Sequence, residues 1–208
     1  MKKILILLFI TLATFCFAGQ HDYAEFNEYQ QNPTYENFLK AANGYQEQID
    51  STYTANLMQA YLYTMELEKN LDILGDNLDS LTTRTKFSYA NLLLELGKLD
   101  ESIVIYDKLN EDVPKWSCPW RHKGEVLMRQ NKLAEAETAT MMAIETREDH
   151  FDAYIQLATI QKELGKYEAA LLTLENGMQY KEADTEDEVT DEEITELKLE
   201  LEELIKKK

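Results

Sequence analysis

In the stretch PKWSCPWRHKGE, residues 114–125, a thiol and an imidazole stand four residues apart, at Cys118 and His122. On a helix that spacing puts both on one face, where the imidazole could take the thiol proton and leave a nucleophilic thiolate. The same pair could begin a metal site, since both are good zinc ligands. Each chemistry needs more groups than this. A nucleophile needs an orienting residue and oxyanion donors, and a metal needs at least one or two further soft ligands. The remaining histidines, His21 and His150, lie far off in sequence, and the other cysteine, Cys16, sits in an apolar leader. The sequence therefore leads us to expect no catalytic residue, no bound metal and no cofactor. The same stretch holds both tryptophans and two of the three prolines, which reads better as a seam between structural elements.

The elements that would position these residues are repeated. The strings ELGKLDES (95–102), RQNKLAEA (129–136) and ELGKYEAA (163–170) each begin 34 residues after the one before. Small residues recur in the same register at Ala90, Gly124 and Ala158, and again at Ser102, Ala136 and Ala170. Gly97, Asn131 and Gly165 recur where a helix must stop in a left-handed conformation, each followed by lysine at 98, 132 and 166. The pattern predicts a helical hairpin in which a first helix, A, uses its small residue to let helix B approach closely. Leu93, Leu96, Ile103 and Tyr106 supply apolar positions at helical spacing in the first hairpin. One hairpin is too small to bury its own faces, so neighbours must stack on it. Pro114 would close the first unit, Ser117 would cap the next helix, and Pro119 would fall in its first turn, where a missing N–H costs little.

At these residues the chain resembles the tetratricopeptide repeat family. Tyr89, Ala90, Gly97, Tyr106 and Pro114 carry the pattern in the first unit, and Trp120, Gly124, Ala136 and Ala143 carry it in the second. Tyr154, Leu157, Ala158, Gly165 and Ala170 carry it in the third. Lys86 stands where the leading aromatic belongs, Lys123 replaces a leucine, Leu109 and Gly177 replace the later alanine, and only the first unit ends in proline. The resemblance implies an all-α fold, a short right-handed α-solenoid of hairpins at 83–116, 117–150 and 151–184. A helical region at 19–82 would precede it, and an acidic linker with a capping helix at 185–208 would follow.

The resemblance also implies where a partner would lie, along the groove lined by the A helices. Its groove positions fall on Arg84, Phe87, Asn91, Leu94 and Glu95, then on Cys118, Arg121, Glu125, Met128 and Arg129. In the third unit they fall on Asp152, Ile155, Thr159, Lys162 and Glu163. From these we take Arg84, Phe87, Asn91, Arg121, Glu125, Arg129, Ile155 and Lys162 as the expected partner-binding residues. Three of the chain's four arginines stand among them, and the arginine fork suits carboxylates, so an acidic peptide segment is the expected ligand. Pairing with Glu95, Glu125, Asp152 and Glu163 is the alternative use of those charges. Asn91 matches one position of the family's carboxylate-clamp subtype, but the lysines that should accompany it are missing, so chaperone tails are not the expected ligand.

The rest of the chain narrows the class. Net charge is −18, with 11 acids against two lysines over 19–82, 17 against 13 bases over 83–182, and 11 against four over 183–208. Nucleic acid and anionic lipid would repel such a protein. MKKILILLFITLATFCFA, residues 1–18, reads as an export signal cut before Gly19, with a lipid on Cys16 as the alternative end and secretion as the alternative to a periplasmic location. No second long apolar run follows, so no membrane insertion is expected after cleavage. Over 19–82 the pattern predicts helices from Asn32-Pro33 to Ala42, from Ser51 to Lys69, and through Leu71, Leu74, Leu78 and Leu81. Seven of the twelve tyrosines lie there, serving either a packed degenerate repeat pair or an aromatic docking surface. At the far end Thr190 and Glu193 fit a capping box, and Ile194, Leu197, Leu201, Leu204 and Ile205 form a stripe to bury against the third unit or against a second copy. The function expected from the sequence is a non-enzymatic protein–protein interaction scaffold of the bacterial cell envelope, with an accessory subunit of a larger envelope complex as the alternative.

Overall fold

The computed structural model describes residues 24–43, 57, 61, 67–181 and 189–207. The leader at 1–18 and most of the helix expected over 51–69 lie outside them. Every described element is helical, and the chain forms two compact units that divide between Tyr89 and Ala90.

The first unit contains α1 (Ala24–Gln31), α2 (Tyr35–Asn43), α3 (Leu67–Asp76), a single 3₁₀ turn at Leu78–Ser80, and the start of α4 (Thr83–Glu95). Pro33 sits in the turn between α1 and α2, and the Thr34 hydroxyl caps α2 by accepting from the Asn37 N–H at 3.2 Å. Tyr29, Phe38 and Tyr61 are fully buried, and the Phe38 and Tyr61 rings stack at 4.3 Å. These three aromatics pack inward. Burial pushes the Tyr61 phenol well above its ordinary pKa, with Tyr35 and Tyr29 adding to the effect. The expected helix break between Lys69 and Leu71 is absent, because α3 runs through it and buries Leu71 and Leu74 on one face. Leu78 and Leu81 lie beyond that helix, in and just after the 3₁₀ turn. The Tyr89 hydroxyl donates to the Leu71 carbonyl at 2.9 Å, tying α4 to α3.

The second unit continues with α5 (Leu99–Asp112), α6 (Ser117–Arg129), α7 (Leu133–Thr146), α8 (Phe151–Glu163), α9 (Tyr167–Gly177) and α10 (Asp191–Lys206). The helix starts 83, 117 and 151 and the starts 99, 133 and 167 each step by 34 residues, as do the ends 95, 129 and 163. The stop signals explain this regularity. Gly97, Asn131 and Gly165 have φ of 73°, 59° and 72°. In each turn the left-handed residue donates to the carbonyl three back, and the following lysine donates to the carbonyl five back. In the second turn Asn131 reaches Met128 and Lys132 reaches Leu127, both at 2.8 Å. This is the Schellman pattern, which satisfies the last carbonyls of the helix and turns the chain sharply. Leu96, expected to pack, falls in the first of these turns just past the end of α4 and is 43% exposed.

Within the second unit each helix packs on the next, from α5 to α10, and α6 also touches α8 directly, as α8 touches α10. The A helices α6 and α8 thus form one row, and the B helices α5, α7 and α9 form the other. The small residues sit where the rows close. A Cβ on Gly124 would come within 2.2 Å of the Thr140 hydroxyl oxygen, and one on Gly177 within 2.5 Å of the Tyr154 Cβ. Glycine at 177 therefore fits the tyrosine that leads the third unit. Trp116, not Ser117, takes the N-cap position of α6, and its side chain makes no capping bond; Ser117 begins the helix and is buried. Pro119 lies in the first turn, as expected.

The C-terminal helix closes the stack. The Thr190 hydroxyl accepts from the Glu193 N–H at 3.3 Å, and the Glu193 carboxylate accepts from the Thr190 N–H at 2.8 Å, completing the capping box. Ile194, Leu197 and Leu201 are buried in one cluster with Phe151, Ala158, Ala170 and Leu174. Leu201 is fully buried, so Leu201→Ala should cost about 2–4 kcal/mol, read as a lower urea midpoint. At the Schellman turn, Asn131→Ala should cost about 1 kcal/mol because alanine resists positive φ, whereas Asn131→Gly should hold or raise stability. Equal midpoints for the two Asn131 variants would refute the strain argument.

Candidate functional site

Glu125 is the centre of a polar network on the A-helix row. It stands on α6 one turn before Arg129, whose Nη2 donates to its Oε1 at 2.7 Å, and one turn after His122, whose Nδ1 lies 3.5 Å from its Oε2. Helical spacing alone brings these three side chains together. The His122 ring stacks on Tyr106 of α5, centroids 5.8 Å apart and nearly parallel. The Tyr106 hydroxyl donates to Asn91 Oδ1 at 2.7 Å, close to the end of α4. Arg129 also donates to the Leu94 carbonyl at 3.3 Å and lies 3.6 Å from the Glu95 carboxylate. Arg121 Nη2 lies 3.0 Å from His122 Nε2. A guanidinium has only donors, so Nε2 must accept here, and the ring proton then sits on Nδ1, facing Glu125. The Gln156 amide of α8 donates to the Arg121 carbonyl at 3.0 Å and ties the second unit's A helix to the third's.

The expected groove residues thus divide by what the structure does with them. Phe87 is buried and Arg84 is half-buried, both in the first compact unit. Asn91, Arg121, Glu125 and Arg129 come together in the network. Ile155 packs against the cluster that holds Leu197 and Leu201, and Lys162 Nζ meets Glu200 Oε2 at 2.8 Å. The third unit's share of the row is therefore engaged by α10. His122 belongs to this network through its contacts with Arg121, Glu125 and Tyr106. Its spacing to Glu125 made that pairing readable, while the stack on Tyr106 depends on how the hairpins meet.

Two groups of this network are strongly perturbed. Burial of the Glu125 carboxyl opposes its ionisation, but the His122 imidazole and the Arg129 guanidinium outweigh burial and hold its pKa down at about 2. Burial pushes the Tyr106 phenol far above its ordinary value, and the Glu125 carboxylate adds to this, so the hydroxyl stays a donor to Asn91. The remaining capacity for a ligand lies on Arg121. Its one described hydrogen bond runs to His122, and its buried Nε meets no acceptor among the described residues. Arg129, by contrast, is already neutralised by two carboxylates.

The sign of the pH effect follows from the depressed pKa. The unfolded chain takes a proton on Glu125 near the ordinary glutamate value while the folded chain does not, so stability falls as pH drops from about 4.5 to about 2. The contribution is roughly 2–3 kcal/mol, discounted for the partial exposure of the carboxyl. Glu125→Gln should be less stable near neutral pH and should show a flatter acid limb in denaturant titrations. An unchanged acid limb would mean that the carboxylate is not held by His122 and Arg129.

Comparison with curated proteins finds no match. Among solved structures the chain is similar to the TPR2B domain of yeast Sti1 in complex with pHsp70, at 21% identity and TM-score 0.51, covering 57% of this chain and 97% of that one. It is similar to the first TPR of Spaghetti (RPAP3) bound to the HSP90 peptide SRMEEVD, at 20% identity and TM-score 0.52, over 59% and 92%. MamA (AMB-1) aligns at 16% identity and TM-score 0.55 over 78% of this chain and 95% of that one. At these identities the likeness is one of fold. Residues 151–184, which contain α8 and α9, match the tetratricopeptide repeat family model, and the described helices share the fold of these solved repeat domains.

Proposed function

We propose that this protein is a non-enzymatic scaffold of the bacterial cell envelope that holds an acidic peptide segment of a partner protein on its A-helix row, with Arg121 as the anchoring charge. The observation that carries the reading is the state of Arg121. It is the arginine of the network whose fork is not filled by carboxylates, and the Tyr106–His122 stack and Gln156 fix its neighbourhood. A carboxylate arriving there would gain a charge-assisted, potentially bidentate contact. Two similar domains, of Sti1 and Spaghetti, are described as complexes with pHsp70 and with the acidic HSP90 peptide SRMEEVD, which supports a peptide ligand for this row as well. The envelope location rests on the sequence of the leader, and the open stretch of the row is the part contributed by α6, because α10 engages the part contributed by α8.

An extensive apolar face on the 19–82 region would favour the alternative, an accessory subunit of a larger envelope complex. Among the described residues of the first unit, no large hydrophobic side chain is exposed. The test is affinity capture from an envelope extract with the wild-type chain and with Arg121→Glu, compared beside Arg121→Gln, which removes the charge without adding a carboxylate next to Glu125. Circular dichroism and the urea midpoint check that both fold. A protein retained by the wild type and lost by Arg121→Glu, and released by a synthetic acidic peptide from its sequence, is the expected result. Equal retention by both forms would remove Arg121 and the acidic-ligand reading together.

A further inference from the structure

Within the network around Glu125, one group can change its charge near neutral pH. Glu125, with its pKa held at about 2, stays ionised above that range's lower end. Burial keeps the Tyr106 phenol protonated, and a guanidinium does not lose its proton. An imidazole is the side chain that ordinarily titrates between about pH 5 and 8. His122 is therefore the switchable member, and its two nitrogens face opposite charges. Nδ1 lies 3.5 Å from Glu125 Oε2, while Nε2 lies 3.0 Å from Arg121 Nη2. All three residues stand on α6, Arg121 directly before the histidine and Glu125 one turn after it. The stack on Tyr106, with the two planes 13° apart, holds the ring in this plane, and the Tyr106 hydroxyl is itself bonded to Asn91.

The bond between Arg121 and His122 exists only for the neutral ring. A second ring proton turns Nε2 into a donor, so it no longer accepts from Nη2. It also places a second positive charge 3.0 Å from the guanidinium. The charged ring still suits Glu125 at its other nitrogen, so the proton is held there while Arg121 is driven off. The remaining groups around the ring do not reverse this. On α6, Cys118 stands one turn before His122, Arg129 is bound to Glu125, and Lys123 is bound to Asp107 of α5. On α4, Glu95 lies against Arg129. The α7 helix meets α6 at Gly124 through the neutral Thr140. On α8 the acid one turn before Gln156 is Asp152, and a carboxylate there also favours a charged ring.

We propose that His122 is a proton-operated latch on Arg121: the neutral ring holds the guanidinium, and the imidazolium releases it to an acidic ligand. The inference rests on the reading of Arg121 as the anchoring charge. Release of the fork and the added positive charge both favour a carboxylate, so binding tightens as pH falls through the imidazole range. By linkage, a bound carboxylate favours the protonated ring by the same factor. His122 is thus a positioning residue for Arg121 and acts without touching the ligand.

Two measurements on the full chain test this. The first is a histidine NMR titration without ligand, with the His122 signals assigned by their loss in His122→Gln. Arg121 opposes the second ring proton, so the His122 midpoint should stand at least about half a pH unit higher in Arg121→Gln than in the wild type. An unchanged midpoint would overturn the latch. The second uses a peptide of six aspartates, whose side chains ionise at about pH 4, in calorimetric titrations at about pH 7.5 and about pH 5.5. The wild type should bind it at least about fivefold more tightly at the lower pH, and Arg121→Gln should bind it poorly at both. His122→Gln keeps an acceptor for Arg121 but takes no proton, so it should bind equally at both values, as the wild type does at the higher one. Circular dichroism at each pH checks that the variants fold. His21 and His150 remain in His122→Gln, so a pH effect that survives this variant would belong to other groups and overturn the proposal. Arg121-dependent binding of equal strength at both pH values would overturn the latch and leave the anchoring role standing. Absent binding, or binding that ignores Arg121, would remove the anchoring role, and the latch would fall with it.

Discussion

The left-handed turn that ends each A helix is the constraint on which the rest of the second unit depends. Gly97, Asn131 and Gly165 each hold φ near +60 to +70°. The following lysine in each case bonds back to the carbonyl five residues before it. Because the turn is this tight, the start of the B helix is fixed in phase relative to the end of the A helix. That phase decides which residues face one another. It brings Gly124 against Thr140, buries Ala136 and Ala170 completely, and lets Tyr106 of one hairpin lie on His122 of the next. A turn one residue longer would rotate the B helix by about 100° and send its small residues to solvent. Glycine serves two of the turns. Asparagine serves the third at a small steric cost, because its short polar side chain tolerates this region.

The same phase explains why the charges fall into a network instead of a scatter of pairs. Arg121, His122, Glu125 and Arg129 lie within a little over two turns of α6, and the stacked Tyr106 shields one side of the imidazole. An exposed Glu–Arg pair on a helix is worth only a few tenths of a kcal/mol. Partial burial beside a phenol ring changes that balance, since each group loses water and must be repaid by a neighbour. Glu125 therefore holds its charge strongly, and Arg129 is committed to it. Arg121 keeps its fork largely unused on the other side of the histidine. The network separates a structural arginine from an available one, although both stand at groove positions of the same helix.

Much of this fold was readable in the sequence because its signals are local. The stop residues, the small residues and the Thr190–Glu193 capping box each act within one turn of the chain, and a register of 34 multiplies them. Features that depend on distant packing were not readable. The heptad-like stripe of α10 announced that it must be buried, but not that Glu200 would reach Lys162 and that Ile155 would join its cluster. Leu96 looked like a core residue by spacing, yet the helix ends one residue before it. The α3 helix erased a break drawn at Lys69 because Leu71 and Leu74 are buried on the same continuous face. The site was legible as a set of positions, whereas the division of those positions into buried, capped and open came only with the neighbours in place.

A repeat of paired helices has two faces that evolve under different demands. The A row of this protein is mixed in charge and dense in hydrogen bonds that tie adjacent helices, as Gln156 ties α8 to α6. The B helices pack against the A helices on either side of them and carry most of the net charge of the unit. Lysines outside the B helices neutralise part of that charge, as Lys123 meets Asp107, Lys166 meets Glu137 and Lys198 meets Glu175. Acids alone would give solubility, and lysines or glutamates at 104, 138 and 172 would have given more of it. Val104 and Leu172 instead stay exposed at one register position of α5 and α9, with the threonine Thr138 between them, and single exposed apolar side chains of this kind are ordinary on a folded surface.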